Sequence, residues 1–96
     1  MSPLNKKKLK KVRNRLDKLD TRLLRLIKIR TNLVNEVLKL KTYKKDIIDK
    51  KRIKLILRKI KHKSVSNKID PKITNRIWKN MIWSYIDYER RNFKKK

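Results

Sequence analysis

The 96 residues carry 33 lysines and arginines against 8 acidic residues, a formal net charge of +25, with no cysteine, no glycine and one histidine. Disulfides, thiolate chemistry and a His-rich metal centre are thereby excluded. No apolar run approaches the ~20 residues of a membrane-spanning helix, and nothing resembles a signal peptide. A cytoplasmic protein of one domain is the expectation, with a basic lead-in over residues 1–8 and a basic tail over 91–96. Charge alone suggests a basic helical nucleic-acid-binding protein. The competing source is codon drift: glycine, alanine and glutamine are missing while lysine, isoleucine and asparagine abound. On that reading nucleic-acid contact is at most non-specific.

The first element is a long helix, starting between Asn5 and Leu9 and running to about Tyr43. Its apolar positions, Leu9, Val12, Leu16, Leu19, Leu23, Leu26, Leu33, Val37 and Leu40, step by three and four and form one seam. Such a helix is roughly 50 Å long and overhangs a compact fold of this length, whose radius of gyration is about 12 to 13 Å. The seam therefore needs a partner, and a dimer with the long helices packed together is inferred. Arg30 occupies one beat of that seam, where a guanidinium is expensive unless an anion meets it. Lys41, eleven residues on, falls about 20° from Arg30 around the axis and about 16 Å along it. Arg13 lies about 100° away, so it can join the same site only from a second copy.

Lys44 to Ile48 breaks the pattern and is expected to be a short connection, with Asp46 or Asp49 capping the next helix. Ile53, Ile56, Leu57 and Ile60 predict a short amphipathic helix ending near His62, a solvated helix-end residue, followed by a polar turn from Ser64 to Ile69. Asp70-Pro71 is a helix start, an N-cap followed by proline at the first helical position. The third helix carries Ile73, Ile77, Trp78, Met81, Ile82, Tyr85 and Ile86 on one face, and the same seam reaches Glu89, one of two glutamates. Beyond Phe93 the tail is expected to fray. The fold class is all-α: three helices, long, short and medium.

The polar residues on or beside these seams include no nucleophile–base pair, no glycine-rich phosphate loop and no metal cluster. They suit a small, multiply anionic organic molecule held in one conformation, with any catalysis coming from positioning and fixed charge.

The order of residues resembles the all-helical chorismate mutases. Arg13, Leu16-Asp17, Leu19-Asp20, Leu23-Leu24-Arg25-Leu26, Arg30, Leu33-Val34, Val37 and Lys41 are similar to that family's opening helix. Asp49 and Arg52 resemble its Asp-x-x-Arg start, and Trp78 to Glu89 its aromatic stretch ending in Gln or Glu. The resemblance covers about Val12 to Phe93. It implies an intertwined helical homodimer whose two sites each draw on both chains. It also implies rearrangement of chorismate to prephenate on the way to phenylalanine and tyrosine, with no cofactor. By the same resemblance Arg13 of the other chain and Arg30 bind the carboxylates. Lys41, helped by Glu89, bonds the breaking ether oxygen, and Asp49 and Arg52 close the ring-hydroxyl side.

Two positions depart from the pattern. Ile53 stands where the family commonly has Glu, and Tyr85 where Ser is common. An apolar residue after the Arg and a Tyr-Ile pair are similar to the isochorismate-pyruvate lyases, which share the fold and the cationic pocket. A mutase-like protein without activity is a further alternative, motivated by Ile53. Substrate contacts at Ile53 and Tyr85 are expected in either enzyme.

Overall fold

The computed structural model describes residues 1–94, so the last two residues of the basic tail, Lys95 and Lys96, lie outside it. The chain is all-α: α1 (Pro3–Leu40), a 3-10 turn η1 (Lys44–Ile47), α2 (Lys50–Ser66) and α3 (Pro71–Asn92), with no strand among the described residues. Internal contacts divide it into two units, Met1–Leu33 and Val34–Lys96.

α1 begins earlier than its apolar pattern predicts. Ser2 caps it, its hydroxyl accepting from Asn5 N at 3.2 Å, and Pro3 takes the first helical position, where a missing N–H costs nothing. It also stops earlier, at Leu40 rather than Tyr43. Lys41 N donates to Leu38 O at 3.2 Å, a tightened last turn. Tyr43 is extended, and its N–H goes to Asp46 Oδ2 at 3.1 Å. Lys41 therefore sits one residue past the helix, and the expected connection contains a 3-10 turn rather than irregular chain.

Asp49 caps α2, Oδ1 accepting from Arg52 N at 3.0 Å. α2 runs past His62 to Ser66, so the turn expected from Ser64 begins too early. Ser64 is buried, and its hydroxyl shares a 2.7 Å hydrogen bond with Thr74 Oγ1 of α3 while donating to Ile60 O at 2.6 Å. The helix ends in a Schellman arrangement: Lys68 N donates to Val65 O at 3.1 Å and Ile69 N to Ser64 O at 2.8 Å. Lys68 supplies the left-handed residue at φ 57°. His62 is exposed, as expected.

Asp70 and Pro71 start α3 as predicted, with Asp70 Oδ1 accepting from Lys72 N at 2.9 Å. The packed face is rotated from the expected one. Thr74, Ile82, Ile86 and Glu89 are buried, whereas Ile73 and Ile77 are 56% and 49% exposed. At about 100° per residue, turning Thr74 toward Ser64 swings Ile73 and Ile77 to the flank.

Within the unit Val34–Lys96, Leu38, Ile47, Ile82 and Ile86 form the core, drawn from α1, η1 and α3. Ile53, Ile56 and Leu57 of α2 pack against it together with Ile48 and Phe93. Four buried apolar residues, each keeping between 3% and 8% of its surface, make a small core, and most of the α1 seam is outside it. Leu16, Leu19 and Leu23 are each about half exposed.

Candidate functional site

Glu89 is the one buried carboxylate among the described residues, 6% exposed on the packed face of α3. A carboxylate taken out of water needs a partner. The partner is Lys41, whose Nζ lies 3.2 Å from Glu89 Oε1 across 48 positions of sequence. Lys41 Nζ also donates to the Ile47 carbonyl oxygen at 3.4 Å. An ammonium has three protons, and these two oxygens take two of them. Only 18% of the Lys41 side chain and 8% of the Glu89 side chain remain exposed, so the pair is screened weakly by solvent.

The backbone explains this meeting. Because α1 ends at Leu40, Lys41 is released from helical geometry and η1 folds Ile47 into the core beneath it. Glu89 arrives because it continues the Ile82 and Ile86 stripe by one more helical step.

Other predicted site residues of the same unit lie around these elements. Asp49 is exposed and engaged in capping, so its carboxylate fixes the first turn of α2 that carries Arg52 and Ile53. Arg52 is exposed. Ile53 is half-buried and packs against the core; it fills apolar space at the position where a carboxylate was expected from the family pattern. Tyr85 is half-buried, with its ring edge-on to that of Tyr88 at 6.4 Å between centroids. Arg13 and Arg30 belong to the unit Met1–Leu33. Arg13 is exposed, beside Lys6, Leu9 and Lys10 in a surface groove, and Arg30 is half-buried.

Sequence reasoning missed two contributors. The Ile47 carbonyl is a backbone acceptor and leaves no trace in side-chain pattern. Tyr88 donates its hydroxyl to Asn35 Oδ1 at 2.9 Å. That bond ties α1 to α3 one residue before Glu89 and orients the ring against which Tyr85 rests. A cavity of about 310 Å³ lies near this bond, lined by Asn35, Leu38, Lys39, Asn92, Phe93 and Lys94. Neither Lys41 nor Glu89 lines it, so it is not the expected anion site.

Among the described residues no three His, Cys, Asp or Glu side chains are grouped to hold a metal ion, and no helix is long and apolar enough to cross a membrane. The arrangement offers a half-buried ammonium beside a buried carboxyl group, chemistry suited to an oxygen atom on which charge develops.

The family model described as chorismate mutase type II matches residues 12–90. No curated protein and no solved structure matches the chain.

Proposed function

The chain belongs to the chorismate mutase type II family, a family of isomerases, and from that premise we propose that it rearranges chorismate to prephenate for phenylalanine and tyrosine synthesis in the cytoplasm. The observation that carries the reading is the Lys41–Glu89 pair, brought together across 48 positions of sequence and largely removed from water. The rearrangement is intramolecular and needs no nucleophile, no proton abstraction and no cofactor. Its transition state is compact, and negative charge grows on the ether oxygen as the carbon–oxygen bond breaks.

Lys41 donates to that oxygen, with Glu89 as the second donor. Arg30 of the same chain and Arg13 of a second copy bind the two carboxylates and hold the substrate folded. Asp49 and Arg52 close the ring-hydroxyl side, and Ile53 and Tyr85 complete the wall. The site is thus shared between the chains of a homodimer. A rate gain of 10⁶-fold corresponds to about 8 kcal/mol, which conformational restraint and one placed cation together can supply.

The test is a direct assay of the purified protein with chorismate, following prephenate formation, with isochorismate run alongside and salicylate and pyruvate as its readout. Fast turnover of chorismate, abolished by Arg30→Ala and by Lys41→Ala in proteins that stay folded, is the expected result. Activity confined to isochorismate would replace the mutase by the lyase. No turnover of either would leave a folded relic of the pocket.

A further inference from the structure

α2 carries eight lysines and arginines in seventeen residues and no acidic residue. All eight are exposed, and none forms an ion pair among the described residues. Only Arg52 has a place in the site described above. Like charges stand four residues apart at Lys50 and Lys54, at Lys54 and Arg58, and at Lys59 and Lys63, and each such pair works against the helix. An extended polyanion lying along α2 would reverse the sign of that contribution.

The cations are ordered along the helix. At about 100° and 1.5 Å per residue, Lys50, Lys54, Arg58 and Lys61 fall within an arc of about 80°, about 6, 6 and 4.5 Å apart along the axis. The row continues onto α3, because Arg58 and Lys61 share a groove of about 440 Å³ with Lys72, Leu57, Pro71 and Asn75. We propose that Lys50, Lys54, Arg58, Lys61 and Lys72 form a track for the phosphodiester backbone of a nucleic acid, bound without regard to base sequence.

Three observations favour this partner. The four cations span about 16.5 Å of α2, the axial rise of about five phosphate steps of one strand at ~3.4 Å each, so each long side chain can reach a separate phosphate. The apolar side of α2 is already packed, with Ile53, Ile56 and Leu57 against the core, so the helix has no free apolar face to bury in a bilayer. No Phe, Tyr or Trp of α2 stands beside these cations to stack on a base, and Asn75 is the one amide among the residues lining the groove, so contact is chiefly to the backbone.

Salt dependence tests the track. Each phosphate contact contributes about −0.9 to the slope of log affinity against log salt for duplex DNA. With a short mixed-sequence duplex as the probe, the triple variant Lys54→Gln, Arg58→Gln, Lys61→Gln should flatten the slope by about 2.7. The control triple Lys7→Gln, Lys8→Gln, Lys11→Gln, equal in charge but placed on α1, should change it by less than about one. The single variant Arg58→Gln, which removes one contact and leaves α2 almost unaltered, should flatten it by about 0.9.

Equal losses from the two triples would overturn the track and assign the binding to charge spread over the whole surface. Absence of duplex binding by the unaltered protein at low salt would overturn it too. So would tighter binding to phosphatidylserine vesicles that depends on the same three side chains, which would make the partner a lipid surface.

Discussion

Glu89 is asked for two incompatible states. As a carboxylate it pairs with the Lys41 ammonium 3.2 Å away; as a donor to an ether oxygen it must carry a proton. In the proposed reaction the ionised form withholds a hydrogen bond and sets a negative charge beside an oxygen that is itself gaining one. A neutral hydrogen-bond donor at this position should therefore serve the reaction better than a carboxylate. Glutamine supplies an N–H donor in place of the paired carboxylate, so Glu89→Gln should raise kcat. The kcat of both proteins with chorismate checks this, and a Glu89→Gln protein no faster than the unaltered one would remove Glu89 from the donor role. Lys41 was readable as a candidate from its register with Arg30, but its place just past the helix was not. The helix stop depends on where Asp46 sends its carboxylate, a contact of the folded turn.

At the scale of elements, what was legible was local. Asp49 and Asp70-Pro71 carry their own reason for starting a helix, and both start one. The end of α2 was illegible because its cause is tertiary: Ser64 looks like a turn residue until Thr74 buries it. The chain also has no glycine to mark the stop, and a lysine adopts the left-handed conformation instead. A residue with a Cβ in that region costs about 1–2 kcal/mol, part of which glycine gives back through its freer unfolded chain. Lys68→Gly should raise stability by about 1 kcal/mol, read from the midpoint of urea unfolding at unchanged m-value. Ser64→Ala should do the opposite, since Thr74 Oγ1 keeps only a long 3.4 Å contact to Pro71 O. The loss is about 1–3 kcal/mol, and adding Thr74→Val should recover part of it by removing the stranded hydroxyl. The same unforeseen pair explains why Ile73 and Ile77 were expected inside and lie on the flank.

At the scale of the molecule, α1 leaves more apolar surface bare than an isolated chain needs to. Leu16, Leu19, Leu23 and Leu26 are between 48% and 61% exposed, and Leu40 is 81% exposed. A contiguous apolar stripe of that kind marks an interaction surface, and the proposed occupant is a second copy of the chain. Arg13 then serves its partner's site while Arg30 serves its own, and this division can be tested without a structure of the assembly. Arg13→Ala and Arg30→Ala should each be inactive alone. Unfolded together and refolded as a mixture, half of the dimers should contain one chain of each kind. In such a dimer one site combines the intact Arg30 of the first chain with the intact Arg13 of the second, and the other site lacks both. About a quarter of the unaltered activity should return, the share set by two-fold symmetry. If both arginines served a site within one chain, every site in the mixture would lack one of them and no activity would return.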